Sequence, residues 1–363
     1  MKNVLTKLML FILLITACFF NNYSKEIIAT SSGGLEFFNG EIEHIFIHCL
    51  VAYPEIAFKE TNSMKSAYEK DCITSEEFCL LLNELYKNNY VLVDINSTFK
   101  VDENGVAEKQ KVNVPKGKKP LVLSVDDVVY DHKKAGKGMV DKIIVDSNGN
   151  LATSTVINCK EEIAYDKEFV CILENFISSH PDFSVKNARA TINLTGFDGI
   201  LGYRTQTSNK TNREEQIINE KKVVQKLKEK GYNFACHSYG HYHMKQISLE
   251  NFKREIDAWN EEVVPLIGKT NIYVYPYGEW EIMSGNKLSE KQQLLIDDGF
   301  KLFCGVGIKN FYSYMPYNKK ISQKILFMDR APIDGTTLTT YAKDLSNLID
   351  ASSVLRREKY KNI

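Results

Sequence analysis

Asn233-Phe234-Ala235-Cys236-His237-Ser238-Tyr239-Gly240-His241 reads as a short apolar strand that stops at two histidines four residues apart. Its neighbours repeat one pattern. Gln216 to Lys230 carries helical spacing before it, and Leu249 to Val264 does so after it, leading into an apolar run at Ile272 to Tyr275. Strands separated by helices of this length predict a parallel sheet, open or closed. In such sheets the chemistry gathers at the carboxyl ends of the strands.

The same alternation extends in both directions. Strands are expected at Ile42–Leu50, Tyr90–Val93, Leu121–Val125 and Ala190–Leu194. Helices are expected at Ser75–Lys87, with Thr74 or Ser75 as cap, and at Glu161–Ser178. A hairpin is expected at Ile143–Val145, turning at Asn148-Gly149 into Leu151. A last helix–strand unit joins Ser289–Asp298 to Lys301–Cys304. The fold class is therefore α/β.

Three strand ends carry polar residues suited to one site. Leu121–Val125 runs into Asp126-Asp127, Asn233–Cys236 into His237 and His241, and Ile272–Tyr275 into Pro276-Tyr277-Gly278. Two imidazoles and a carboxylate make a three-ligand set that leaves one position open on a zinc-like ion. Adjacent aspartates inside a strand point to opposite faces, but at a strand end both can turn inward. One is then free to act as a base. Taken singly, each feature has a plainer reading: a cap, a surface histidine pair, a turn.

Together these residues resemble the polysaccharide deacetylases, the NodB-like family 4 carbohydrate esterases. Ser124-Val125-Asp126-Asp127 is similar to the family's first motif, His237-Ser238-Tyr239-Gly240-His241 to its second, and Tyr275-Pro276-Tyr277-Gly278 to its third. The resemblance spans about residues 41–340 and implies a distorted (β/α) barrel. It assigns Asp127, His237 and His241 to a divalent metal, zinc above others. Asp126 becomes the base, the Tyr277 backbone N–H an oxyanion donor, and Tyr275 and Pro276 substrate contacts. Two departures stand out. Val274 occupies the place of the third-motif arginine, and no histidine follows His243 to serve as late general acid. The permuted poly-N-acetylglucosamine deacetylase branch carries an early histidine segment and a Tyr-Pro-Tyr-Gly turn. This chain's Phe46-Ile47-His48 fits that circularly permuted order, so His48 is the expected acid, with His44 and His132 as alternates. His243 is an alternate ligand, and Gly202–Thr205 is a surface turn or a substrate contact.

The amino terminus and the composition bear on location and partners. Lys2 and Lys7 precede the apolar run Leu8–Ile15, which ends at Ile15-Thr16-Ala17-Cys18. This reads as a lipoprotein signal peptide over residues 1–18, with Cys18 acylated, or as a signal cut elsewhere or an uncleaved anchor. Residues 19–40 read as a tether, 41–345 as the catalytic domain and 346–363 as a charged, solvated tail. The expected location is extracytoplasmic, held at the membrane through Cys18 or secreted. Lysine plus arginine and aspartate plus glutamate both total 46. That balance removes the electrostatic case for a nucleic-acid partner. An N-acetylated glycan is the expected substrate, peptidoglycan or a poly-N-acetylglucosamine-type polymer, and no protein partner is expected. The competing readings are a non-catalytic glycan binder on the same barrel and a protein that only sequesters zinc. Eight cysteines without framework spacing predict buried thiols rather than disulfides.

Overall fold

A computed structural model describes residues 34–280, 283–284, 287–307 and 325–360. The expected signal peptide, with Cys18, lies outside the described residues. Nine strands form the central sheet: β1 (Glu43–His48), β2 (Tyr90–Leu92), β3 (Lys119–Asp126), β4 (Thr191–Leu194), β5 (Asn233–Cys236), β6 (Ile272–Val274), β7 (Leu302–Cys304), β8 (Leu326–Met328) and β9 (Ala331–Pro332). Across the sheet they run β8-β7-β6-β5-β4-β3-β1-β9, every neighbour parallel. β2 pairs with Lys119–Leu121 of β3 and β4 with Ser124–Val125, so the two share one edge. The sheet curls into a distorted, half-open (β/α) barrel.

Both faces of the sheet are covered, which is why its strands are apolar nearly throughout. In β3 every residue after Lys119 is buried. The helices against it are α1 (Ser75–Lys87), α2 (Phe169–Ser179), α3 (Arg213–Lys230), α4 (Leu249–Ala258) and α5 (Glu290–Asp297). Thr74 and Glu77 cap α1 reciprocally, each side chain accepting the other's backbone N–H. α4 continues through a π turn at Trp259–Val263 into Val264–Ile267, where Pro265 lacks an N–H to sustain a regular helix.

Three expectations need correction. Lys160–Ala164 is not the start of a helix. It pairs antiparallel with Thr153–Ile157, and Glu168 caps α2 further along. Cross-strand pairing with the hairpin Lys142–Val145/Leu151–Ile157 outweighs the weak local helical pattern. Leu35–Phe37, inside the expected tether, pairs antiparallel with Asn113–Pro115. The expected solvated tail is instead docked: Leu348, Ile349 and Val354 are buried, and Arg357 bonds buried Glu77 at 3.0 Å and the Cys72 carbonyl at 2.5 Å. Among the described residues the seven cysteines are free thiols, five of them buried. No helix there is long and apolar enough to cross a membrane.

Candidate active site

β3, β5 and β6 deliver their terminal residues to one end of the barrel. Asp126 closes β3, and Asp127 follows with φ +57°. That left-handed step breaks strand alternation and lets both carboxylates face the same pocket. Ser238 (φ +56°), His241 (φ +56°) and Tyr277 (φ +59°) are likewise left-handed without being glycine. Strain of this kind, present after each of the three strands, is held in place by the surrounding structure and is characteristic of functional sites.

Asp127 Oδ1 lies 3.6 Å from His241 Nε2 and 3.9 Å from His237 Nε2. One donor atom from each of the three falls within 4.8 Å of the others. Ligands about 2.0–2.2 Å from a tetrahedral ion sit roughly 3.4 Å apart. The donor set therefore fits a divalent metal. His237 Nδ1 is 2.9 Å from the Val274 carbonyl, which can only accept, so the hydrogen sits on Nδ1 and the Nε2 lone pair faces the cluster. Burial brings His241 down to about 4, and so keeps its ring neutral and able to ligate.

Asp126 stands beside this cluster, its Oδ2 3.8 Å from His237 Nε2. Oδ1 accepts from Asn193 Nδ2 at 2.6 Å and from one terminal nitrogen of Arg330 at 2.7 Å; Oδ2 accepts from the other at 2.9 Å. Burial pushes the Asp126 carboxyl up, but Arg330 and His237 outweigh it and hold it well below the usual carboxylate range. Arg330 is wholly buried, stacks 4.2 Å over the Phe46 ring and also donates to the Gly305 carbonyl. Neither Arg330 nor Asn193 stood out in the sequence. The available signal was a lone arginine between the apolar runs Leu326–Met328 and Ala331–Pro332.

His48, at the end of β1 and in register with Asp126, donates its Nδ1–H to the Asp71 carbonyl at 2.7 Å. Its Nε2 points at Asp127 Oδ2, 4.0 Å away. The alternates are placed otherwise. His44 is buried against Ser124 and Met328, and exposed His132 pairs with Asp198 at 2.9 Å. His243 stacks on Tyr277 with ring centroids 3.8 Å apart and planes 7° from parallel, outside the ligand cluster. The two substrate contacts that the resemblance implies are both buried. Tyr275 is 1 % exposed with its hydroxyl on Gln292, so it builds the pocket wall, and Pro276 is buried in the turn. Arg204 of the 202–205 turn is likewise spent on the carbonyls of Asp198 and Tyr130.

The pocket these residues line has a volume of about 380 Å³ and is also lined by Tyr68, Cys72 and Lys134. A carboxylate–imidazole cluster, a second ionised carboxylate and a histidine facing inward suit metal-assisted hydrolysis.

Residues 203–293 match the family described as polysaccharide deacetylase, a stretch that includes His237, His241 and the Tyr275–Gly278 turn. No curated protein sequence matches the chain. Among solved structures, the Streptococcus pyogenes deacetylase PplD, in complex with acetate, is similar at 13% identity and a TM-score of 0.45, over 85% of this chain and 98% of that one. BC0361, a polysaccharide deacetylase from Bacillus cereus, is similar at 12% identity and a TM-score of 0.44, over 87% and 69%. Through residues 203–293 and the motifs at its strand ends, this chain is similar to the polysaccharide deacetylases.

Proposed function

We propose that this protein removes N-acetyl groups from an amino-sugar polymer at the cell surface, with peptidoglycan and poly-N-acetylglucosamine-type polysaccharide as the two candidate substrates. The observation that carries this reading is the juxtaposition of Asp127, His237 and His241 with a separate, ionised Asp126. A divalent cation held by those three residues, zinc by the preference of its donor set, supplies Lewis acidity toward water and an acetyl carbonyl. Asp126 takes the proton of the attacking water. The Tyr277 backbone N–H donates to the oxygen that becomes negative. His48, anchored through Nδ1, presents Nε2 to protonate the departing amine. Acetate and a free amino sugar result. Acylated Cys18 would hold the protein at the membrane.

A non-catalytic glycan binder is the second reading, suggested by Val274 in place of an arginine. The guanidinium of Arg330 on Asp126 weighs against it, because a binder needs no buried, doubly bonded carboxylate beside a ligand cluster. The test is acetate release by the full chain from peptidoglycan and from N-acetylglucosamine oligomers, with chelator and with zinc restored. Chelator-sensitive release that Asp126→Asn abolishes is the expected result. Retention of polymer with no acetate released would leave the binder.

A further inference from the structure

The carbonyls at the carboxyl end of a helix have no partner within it and must find one elsewhere. At the end of the short helix Lys65–Asp71, three successive carbonyls each meet a different distant segment. The Lys70 carbonyl accepts from the Thr336 hydroxyl at 3.1 Å, the Asp71 carbonyl from His48 Nδ1 at 2.7 Å, and the Cys72 carbonyl from Arg357 Nη2 at 2.5 Å. A Cβ added to Gly335 would fall 1.8 Å from the Glu69 carbonyl, so residues 334–336 lie directly against the same helix end. Asp71 and Cys72 both line the catalytic pocket.

Cys72 is extended, at φ −124° and ψ 161°, so its carbonyl and that of Asp71 point to opposite sides of the chain. One side meets His48, the other Arg357. Arg357 is itself fixed. Its Nε donates to Glu77 Oε1 at 3.0 Å, and the same oxygen accepts from the Arg356 N–H at 2.9 Å. Glu77 is wholly buried in the first turn of α1, and the Arg357 guanidinium lies 4.8 Å over the Phe58 ring. On the other flank the Ile73 carbonyl accepts from Val51 N–H at 2.9 Å, and the Val51 carbonyl from Ser75 N–H at 3.2 Å. The peptide that receives His48 is therefore clamped between the continuation of β1, the start of α1 and the carboxyl-terminal segment.

We propose that Arg357, acting through the Cys72 carbonyl, is a positioning residue for His48, which makes the docked carboxyl-terminal segment part of the catalytic apparatus. The proposal rests on the deacetylase reading, in which His48 is the acid. Arg357 restrains rotation of the Asp71–Cys72 peptide, and with it the direction in which the His48 ring presents Nε2. A displacement of about 1 Å at a reacting group costs on the order of a hundredfold in rate. The effect is confined to reactions that need the acid. An amide nitrogen must gain a proton as its C–N bond breaks, whereas an aryloxide leaves without one.

The test uses the full chain supplied with zinc, with N-acetylglucosamine pentamer and a small aryl acetate as substrates. Arg357→Ala should lower kcat on pentamer by about ten- to a hundredfold at unchanged KM, and leave aryl acetate hydrolysis within about twofold of wild type. Arg357→Lys keeps the charge without the fork and should fold with a smaller loss of the same selectivity, so it carries the comparison if the alanine variant unfolds. The double variant Arg357→Ala with His48→Ala should be no slower than His48→Ala alone, since the group on which Arg357 acts is gone. Equal losses on both substrates, losses that multiply in the double variant, or an unchanged pentamer rate would overturn the proposal. NMR of nitrogen-labelled histidines separates it from the reading on which it rests. His48 should carry its hydrogen on Nδ1 in wild type and become a mixture of tautomers in Arg357→Ala. If no form releases acetate, the deacetylase reading fails; the positioning role then stands if that tautomer shift is seen and falls if it is not.

Discussion

Arg330 grips both carboxylate oxygens of Asp126, at 2.7 and 2.9 Å, across 204 residues of chain. Both side chains are buried, Arg330 completely, and Asn193 completes the shell of donors. A bidentate guanidinium fixes the carboxylate's orientation as well as its charge. It leaves Asp126 ionised beside His237 and unable to rotate away from the pocket.

Breaking that pair should be costly. Arg330→Met leaves a buried, unpaired carboxylate, and such losses amount to about 3–5 kcal/mol. Urea unfolding should show this, and adding Asp126→Leu should recover a large part of it. Arg330→Lys keeps the charge but not the fork. It should fold, with acetate release reduced by about ten- to a hundredfold. Unchanged activity in Arg330→Lys would mean that the orientation of Asp126 is unimportant.

The two aspartates should separate metal binding from turnover. Asp127→Ala and His237→Ala should lose stoichiometric zinc by elemental analysis of the purified protein. Asp126→Asn should retain it while kcat falls by about 10²–10⁴. Because an ion bound only to the folded state stabilises by mass action, chelation should lower the melting temperature of wild type and of Asp126→Asn alike. A melting temperature indifferent to chelator in wild type would argue against a resident metal.

His243 and Tyr277 form a second testable pair. Their rings lie 3.8 Å apart and nearly parallel, over a tyrosine held at φ +59°. Stacking of this kind contributes on the order of 1 kcal/mol. If it secures the Tyr277 peptide, His243→Ala should lower kcat by about three- to tenfold with little change in KM. His243→Phe, which keeps a flat ring, should restore the rate. A metal-binding defect in His243→Ala would point to a ligand instead.

Glu220 makes stability depend on pH. It is fully buried in α3, neither carboxylate oxygen has a hydrogen-bond partner among the described residues, and burial raises it to about 8. Its folded-state pKa is above the unfolded value, so its contribution is intact below the ordinary glutamate pKa. It is lost as pH rises through about 8, where the unfolded chain releases the proton more readily. Wild type should therefore unfold at lower urea on the alkaline side of that pH than on the acid side. Glu220→Leu should flatten the dependence and gain most at alkaline pH. Parallel pH profiles for wild type and Glu220→Leu would refute the assignment.

The alternation of apolar runs and helical stretches, and the residues at the ends of β3, β5 and β6, were legible locally. A strand that must be buried on both faces announces itself in consecutive residues, and His237 and His241 lie four apart. Local pattern misled at Glu161–Ala164, where cross-strand partners decided the conformation, and at the carboxyl terminus, where Arg357 found Glu77. Arg330 on Asp126 was beyond any window of sequence, since an ion pair between the end of β3 and the link from β8 to β9 exists only once the sheet has curled. So the sequence by itself determined an α/β chain with a candidate metal-ligand set at its strand ends. Only the tertiary structure decided which cation orients the free carboxylate and which distant segments gather around His48, because both depend on distances between segments that share no local signal.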